Sequence, residues 1–314
     1  MELRDRFKGA LLGLAVGDAL GAPVEGLPPW LFTPVRGMLP GGFHNIKAGQ
    51  WTDDTSMALC LAESLIECKG HDPLHPYNPE DQLRRYVMWL DEGHFSSRGR
   101  AFGIGNTVYA SLEKFKRRPE PYCGPTDSRT AGNGSLMRLA PVPLFFWRQP
   151  KMAMDLSGDS SRTTHGAQAA VDACRYFGGL IVGAAMGASK EKLLCPCYSP
   201  ADGYYEEKPL SPEVDAVASG SFREKESGQI RASAYVVESL EAALWAFYNS
   251  DTFSEAVLMA VNLGHDSDTT AAICGQLAGA YYGVGAIPEE WLDVLAMREE
   301  IEALADRLYE ASAA

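Results

Sequence analysis

The residues with the clearest chemical potential form two acid-rich segments near opposite ends of the 314-residue chain. Residues 52–55 read Thr-Asp-Asp-Thr, and residues 266–270 read Asp-Ser-Asp-Thr-Thr. Small and apolar residues follow each segment at helical spacing, which predicts two helix starts, the first with Thr52 as its N-cap. The local alternative is two well-capped helices that bind nothing. If both starts face one cleft, they supply four carboxylates and several hydroxyls, the oxygen ligands that hard divalent cations prefer.

Other segments carry groups that would complete such a site. Glu25 lies between proline and glycine residues in a predicted loop, where it either lines a site mouth or is a solvated acid. Residues 132–135 (Gly-Asn-Gly-Ser) precede a predicted helix and form either a nest of N–H groups for a diphosphate or an ordinary turn. His165 either contacts a ligand or makes a structural hydrogen bond. Asp18 is interpreted as a supporting or capping carboxylate.

Closely packed helices must position these groups. Glycine recurs every four residues at positions 9, 13, 17 and 21 of a predicted helix over residues 5–21, and again at 275 and 279. Each glycine costs about 1 kcal/mol relative to alanine in an isolated helix, a cost that close packing of a second backbone offsets. Strand signals and repeats of fixed period are lacking. We therefore predict a compact, all-α single domain, with a lid-like loop at 27–50 and a loop-rich, partly mobile insertion at about 195–228.

The composition limits the possible partners. The formal charge of −13 disfavours unaided binding to nucleic acid or to anionic membranes and suits cations. Seven cysteines without framework spacing, and a start with no signal-peptide pattern, predict a reducing, cytoplasmic location. No apolar run is expected to span a bilayer. Lys8 and Asp18 argue against membrane dimerisation of the first helix, the other known use of such glycine spacing.

The sequence resembles the ADP-ribosylglycohydrolase family in an ordered set of motifs that covers nearly the whole chain. The set comprises residues 17–21 with Glu25, residues 51–55, 132–138 and 164–165, and residues 266–270 with 275–279. Each motif alone is weakly specific, whereas the ordered set is specific. The resemblance implies a compact, single-domain helical bundle of this family's type over residues 1–314.

The resemblance also implies a site with two Mg²⁺ or two Mn²⁺ ions. Its metal ligands would be Thr52, Asp53, Asp54, Asp266, Asp268 and Thr269. Glu25 would reach the metals or their water, and it is a catalytic candidate together with Asp53 and Asp54. The substrate-binding residues would be Gly132, Asn133, Gly134 and Ser135 at a diphosphate, with His165, Phe102 and Gly103 in the same pocket.

By the same resemblance, the chain would be a metal-dependent hydrolase that removes ADP-ribose from an ADP-ribosylated protein. An arginine side chain is the first choice of linkage. Open alternatives are a serine, nucleobase or O-acetyl linkage, a phosphoesterase that releases AMP, and a catalytically silent relative that binds ADP-ribose or has a structural role. Nitrogenase-regulating members carry Asp where Gly103 and Asn106 stand here, so the resemblance leaves the acid–base scheme unassigned.

Overall fold

The computed structural model describes residues 1–72 and 74–313. Within these residues the chain forms fifteen α-helices and no β-strand, which confirms the all-α prediction. The helices are α1 (Leu3–Gly21), α2 (Asp53–His71), α3 (Pro79–Glu92), α4 (Asn106–Arg117), α5 (Pro141–Phe145), α6 (Pro150–Arg162), α7 (Gln168–Ala185), α8 (Lys190–Leu193), α9 (Tyr204–Glu207), α10 (Pro212–Ala218), α11 (Val236–Tyr248), α12 (Phe253–Val261), α13 (Ser267–Tyr282), α14 (Glu289–Leu292) and α15 (Arg298–Ala313).

Helices α1 and α13 pack along each other with almost no side chain between their backbones. A Cβ atom built at Gly9 would lie 2.2 Å from the carbonyl oxygen of Gly279, and one at Gly17 would lie 2.2 Å from that of Ala271. The contact is reciprocal, since a Cβ at Gly279 would lie 1.9 Å from the carbonyl oxygen of Gly9. Residue numbers fall along α13 as they rise along α1, so the helices run antiparallel. The close helix contact predicted from the glycine spacing is confirmed.

The antiparallel contact brings the end of α1 to the start of α13. A Cβ at Gly21 would lie 2.4 Å from both the backbone nitrogen and the Cα atom of Asp268. Asp18, one turn earlier on α1, accepts hydrogen bonds from Thr52 and Thr55 at the start of α2. One end of α1 therefore gathers both acid-rich helix starts.

Helix α1 is more apolar than the sequence patterns suggested. The segment Leu3–Val24, with a hydropathy of 1.3, is long and apolar enough to cross a membrane by length and composition, so the prediction that no run has these properties was wrong. In the structure, 94% of an apolar stretch of 18 residues within this segment is buried inside the protein. Its main neighbours are α13, α15 and α2. A core helix meets the same length and composition test, and α1 is buried as a core helix.

The segment 195–228 contains the short helices α9 and α10, and a buried ion pair on α7 attaches it to the bundle. Asp172 and Arg175 pair at 2.6 Å, and both side chains are at least nine-tenths buried. The Arg175 guanidinium also donates to the carbonyl oxygen of Lys208, while Asp172 accepts from the backbone N–H of Ser211. The predicted loop-rich character is observed, whereas the predicted mobility of this segment stays a prediction.

The charged amphipathic pattern over residues 288–311 suggests one continuous helix, but the structure forms two separate helices there, α14 and α15. Met297 has a φ of +55°, which a helix does not accommodate. The preceding Ala296 donates its N–H to the carbonyl oxygen of Gly49 and accepts from the indole Nε1 of Trp51. The break therefore holds the end of the 27–50 loop against the bundle.

The close contact of α1 with α13 predicts that one added methyl group destabilises the fold. We expect Gly17→Ala to lower the free energy of unfolding by at least about 2 kcal/mol, because the two backbones must separate. Gly70, on the exposed last turn of α2, has no heavy atom within 4 Å of a Cβ, so Gly70→Ala should leave stability unchanged or raise it by about 1 kcal/mol. Urea unfolding of both variants distinguishes them, and equal stabilities would contradict the packing analysis.

Candidate metal centre

The two acid-rich helix starts line one cavity of about 270 Å³. The loop after α1, the segment before α4 and the segment 132–134 complete its walls. The lining residues are Glu25, Asp53, Asp54, Gly103, Gly105, Asn106, Thr107, Val108, Gly132, Asn133, Gly134, Met137, His165, Ala234, Asp266, Asp268 and Thr269. The structure therefore brings together most of the residues that were predicted to form the site. Thr52, Ser135 and Phe102 do not line the cavity.

The acidic groups of the cavity have the chemistry of a cation site. Ligand oxygens of Glu25, Asp266 and Asp268 all lie within 4.8 Å of one another. One carboxylate oxygen of Asp54 and one of Asp268 are buried without a hydrogen-bond partner. Among the described residues, no lysine or arginine lines the cavity. Buried carboxylate oxygens without donors are costly unless cations satisfy them, so these residues fit divalent metal ions.

Burial and mutual repulsion make these carboxyl groups weak acids. Burial, followed by the charge of Asp18, raises the pKa of Asp53 to about 8. Burial, followed by the charge of Asp266, raises the pKa of Glu25 to about 7. Burial likewise raises the pKa of Asp54 well above its ordinary range. Without metal ions, the cluster therefore retains protons at pH values where ordinary carboxyl groups have lost them.

The start of α2 is capped by Asp18 rather than by the predicted Thr52 side chain. One oxygen of the fully buried Asp18 accepts from the N–H and the hydroxyl of Thr52, at 2.8 and 3.0 Å. Its other oxygen accepts from the N–H and the hydroxyl of Thr55, at 3.1 and 2.7 Å. The Thr52 hydroxyl also lies 3.3 Å from Oδ2 of Asp54, so its oxygen stays beside the acids although Thr52 does not line the cavity. Asp18 fixes the helix turn from which Asp53 and Asp54 project.

The loop at 132–134 is tied directly to the acids. The amide Nδ2 of Asn133 donates to Asp266 at 2.5 Å and to the hydroxyl of Ser239 at 2.8 Å. The backbone N–H of Asn133 donates to the carbonyl oxygen of Ala234 at 3.1 Å. Any movement of this loop therefore moves a carboxylate of the metal cluster.

The sequence suggested that a helix begins directly after residues 132–135, but the structure has no helix there among the described residues. A turn follows these residues, and α5 begins only at Pro141. The N–H groups of Gly132 and Asn133 already donate to backbone carbonyl oxygens. Within the described chain, the N–H groups of Gly134 and Ser135 have no protein acceptor. These two amides are the donors that the loop can offer to an anion.

A different helix start faces the cavity. Asn106, Thr107 and Val108, the first residues of α4, line its wall, and Gly105 before them offers no side-chain cap. The first N–H groups of a helix lack partners within it and attract anions. In the sequence, the Gly-x-Gly of residues 103–105 without a preceding strand is only weak evidence for phosphate binding. The signal was the glycine-rich entry to a periodic helix.

Glycine at position 103 is required by its surroundings. Its φ is +85°, and a Cβ at this position would lie 2.5 Å from Oδ1 of Asp53. An L-residue here would be strained and would push Asp53 aside. An aspartate at this position would therefore require a different local arrangement.

Phe102 and Ser135 lie behind the cavity wall, where their side chains contact other residues of the protein. The Phe102 ring contacts the ring of His44 edge-on, with centroids 5.4 Å apart. Nε2 of His44 lies 3.3 Å from Oε2 of Glu25, although this contact lacks hydrogen-bond geometry. Burial, followed by the charge of Arg98, lowers the pKa of His44. The Ser135 hydroxyl is bonded to another core hydroxyl. Sequence analysis missed His44, because nothing in its loop marks it.

His165 is held in one protonation state by two buried neighbours. Arg138, fully buried, donates to the Thr164 hydroxyl at 2.7 Å, and that hydroxyl lies 2.9 Å from Nδ1 of His165. An arginine only donates, so the hydroxyl proton is free for Nδ1. We infer that the neutral ring carries its proton on Nε2, beside Gly132 and Gly134. Burial and the charge of Arg138 lower the pKa of His165 to about 3, so the ring is neutral.

The relay from Arg138 predicts the tautomer of His165. Nitrogen NMR should show the proton on Nε2 in the wild type. Thr164→Val should mix the tautomers and cost about 1–3 kcal/mol of stability, because a buried guanidinium N–H loses its best acceptor. Thr33→Val, at an exposed threonine, is the control and should change neither. A wild-type ring protonated on Nδ1 would contradict the relay.

The raised acid pKa values predict how stability depends on pH in metal-free protein. Asp53 has a pKa of about 8 in the folded state and an ordinary pKa when the chain is unfolded. The free energy of unfolding therefore falls as the pH rises between these two values. Asp53→Asn should therefore be more stable than wild type by more than about 1 kcal/mol near pH 9, with the gain vanishing near pH 4. Urea unfolding in EDTA measures the difference. Asp202→Asn, at an exposed position, should show no such trend.

Comparison with known proteins places the whole chain in one family. The sequence model of the ADP-ribosylglycohydrolase family matches residues 1–314. An ADP-ribosylarginine hydrolase Tri1 of Serratia proteamaculans is 39% identical over 308 residues, covering 98% of this chain and 80% of the relative. The ADP-ribosyl-[dinitrogen reductase] glycohydrolase of Rhodospirillum rubrum is 32% identical over 309 residues, covering 96% and 94%. A solved ADP-ribosylglycohydrolase-related protein complex superposes with a TM-score of 0.84, at 44% identity over 99% of both chains. The chain belongs to the ADP-ribosylglycohydrolase family.

Proposed function

We propose that this protein is a metal-dependent hydrolase that cleaves the N-glycosidic bond between ADP-ribose and an arginine side chain. The main support for this proposal is the composition of the cavity. It contains clustered carboxylates, with no lysine or arginine among the described residues that line it, and next to them the N–H groups of amides and of an imidazole that could bind an anion. The relatives named as ADP-ribosylarginine hydrolases support the arginine linkage. The partner would be an ADP-ribosylated protein, and free ADP-ribose would be the product.

The metal ions would be held by the acid-rich starts of α2 and α13. All donors are oxygens, which suits Mg²⁺ or Mn²⁺. When bound, two such ions would neutralise the clustered carboxylates and make water in the cavity more acidic. The proposed ligands are Thr52, Asp53, Asp54, Asp266, Asp268 and Thr269. Of these, Asp54 and Asp268 have the buried oxygens that most need a cation.

Glu25 is the proposed proton acceptor. It belongs to the loop after α1 rather than to a helix, and its Oε2 is buried without a hydrogen bond. The Glu25 carboxylate would accept a proton from water as the water oxygen bonds to C1 of the ribose. The bond from C1 to the guanidine nitrogen breaks, and this nitrogen keeps the electron pair and takes up a proton from solvent or from Glu25, so that the proton removed from water is balanced. Arginine and ADP-ribose result.

The opposite wall would hold the diphosphate. Nε2–H of His165 and the free amides of Gly134 and Ser135 donate to anions without carrying charge. The start of α4 adds its unpaired N–H groups. Binding energy from this remote part of the substrate would fix the ribose over the acids, which lowers the barrier at the reacting carbon.

We also propose a cytoplasmic location. All seven cysteines are free thiols, and four of them are buried. A chain whose fold uses no disulfide suits a reducing compartment. Fractionation of the producing cells would test this.

The activity is tested with ADP-ribosyl-arginine, Mg²⁺ and product identification. Release of intact ADP-ribose that EDTA abolishes and Mg²⁺ or Mn²⁺ restores is the expected result. A parallel panel of serine-, nucleobase- and O-acetyl-linked ADP-ribose measures the preference for arginine. Release that EDTA does not affect, or release of AMP, would refute the proposal.

The proposed ligands predict the behaviour of two variants. Asp54→Ala and Asp268→Ala should each bind less metal by calorimetry and lose activity by at least about 100-fold, since a ligand that orients the site is removed. Asp202→Ala, an exposed acid outside the cavity, is the matched control and should keep both. Full activity of either cavity variant would contradict the ligand assignment.

A further inference from the structure

A second, larger cavity of about 550 Å³ adjoins the metal-site cavity without sharing a lining residue. We refer to it as the side pocket. Apolar groups of Pro29, Trp30, Ile230 and Leu263 form much of its wall, and the His265 ring lies across from Trp30, with ring centroids 6.3 Å apart. Six of the twelve lining residues carry polar or charged side chains, so an apolar side chain would bind against the part of the wall formed by Trp30, Ile230 and Leu263.

Large apolar side chains are exposed on the loop that passes both cavities: Trp30 lines the side pocket, whereas Phe43 contacts His44, which lies beside Glu25 of the metal-site cavity. Trp30 is 77% exposed, Leu31 is 65% exposed, and Phe43 is 87% exposed. All three belong to the loop that begins just after Glu25. Exposed apolar groups gathered next to a cavity mark a binding surface, whereas scattered ones need no explanation. We refer to these three residues as the apolar rim.

Neighbouring residues of the same backbone segments line the side pocket and the metal-site cavity. His265 lines the side pocket, and the next residue, Asp266, faces the acids. The N–H of Asp266 donates to the carbonyl oxygen of Ala232, another residue of the side pocket. His265 exchanges two 2.7 Å backbone hydrogen bonds with Gly26 and Leu27, directly after Glu25. The side pocket therefore lies beside the reacting groups of the proposed mechanism.

We propose that the side pocket and the apolar rim bind the polypeptide that carries the ADP-ribosylated arginine, with an apolar side chain of that polypeptide in the side pocket. This rests on the proposed function. The polypeptide is attached to the scissile bond through one arginine side chain, so its neighbouring residues must lie beside the metal-site cavity. There the protein offers an apolar surface of matching chemistry.

Charge favours the same occupant. The chain carries a formal charge of −13, so it attracts basic segments and repels acidic ones. Glu238 and Arg231 both line the side pocket and pair at 3.7 Å, so their charges offset each other there and the attraction comes from the net charge of the protein. The preferred target is therefore a basic, arginine-containing segment with an apolar residue close to the modified arginine.

The test uses three substrates that share one scissile bond. They are free ADP-ribosyl-arginine and two synthetic peptides with a single ADP-ribosyl-arginine, one flanked by leucine and phenylalanine and the other by glycine and serine. Wild type should have a lower KM for the apolar peptide. Trp30→Ala should raise that KM about tenfold, as loss of a tryptophan anchor does. Its KM for the other two substrates, and its kcat for all three, should stay within about twofold.

Leu74→Ala is the matched control. Leu74 is 85% exposed and lies beyond the C-terminal end of α2, far along that helix from the acids. It should change no KM. Affinity for free ADP-ribose, measured by calorimetry, should be the same in wild type and in both variants.

Three results would overturn the docking proposal. If Trp30→Ala leaves the KM for the apolar peptide unchanged, the docking proposal is refuted. If Trp30→Ala raises KM equally for all three substrates, or weakens binding of free ADP-ribose, the side pocket binds the adenosine half of ADP-ribose instead. A wild-type dimer that Trp30→Ala converts to monomer in sedimentation would assign the surface to a second copy. Failure of wild type on free ADP-ribosyl-arginine would instead refute the proposed function, so the two failures are distinguishable.

Discussion

The backbone contact between α1 and α13 is the constraint on which the rest of the structure depends. Glycine brings the two helices so close that carbonyl oxygens occupy the space of missing side chains. Because the helices are antiparallel, the end of α1 meets the start of α13, and Asp18 on the same end caps α2. Acids that are more than two hundred positions apart in sequence therefore face one cavity. Larger side chains at the glycine positions of α1 or α13 would move the two helices apart. The two acid-rich helix starts would then separate, even with every cavity residue unchanged.

The same convergence makes the site electrostatically expensive. Carboxylates are buried beside one another, and the described residues that line the cavity include no lysine or arginine to neutralise them. Packing elsewhere must offset this repulsion, which explains why such a large apolar helix lies directly behind the acids. Positive charge is present but lies behind the cavity wall, where Arg138 acts through Thr164 on His165. The cavity is thus acidic on one wall and rich in neutral donors on the other.

Much of this arrangement could be predicted from the sequence, because periodic patterns report on helices. The two acid-rich helix starts, the glycine spacing and the glycine-rich loop were all identified, and the all-α fold and the family are confirmed. What sequence analysis missed depends on tertiary contacts. Thr52 has the right residue type for an N-cap, but a carboxylate from another helix takes that role. A third helix start, that of α4, also faces the cavity, and His44 lies beside Glu25 although its loop has no recognisable sequence pattern.

The separation of α1 and α13 along the chain has a consequence for synthesis of the protein. α1 is synthesised more than two hundred residues before α13, its principal partner. Until then, the glycine face of α1 has no backbone to pack against, and an apolar helix remains in a nascent chain that cannot yet complete its core. The contact between α1 and α13, and with it the convergence of the two acid-rich helix starts, therefore forms only after most of the chain has been synthesised.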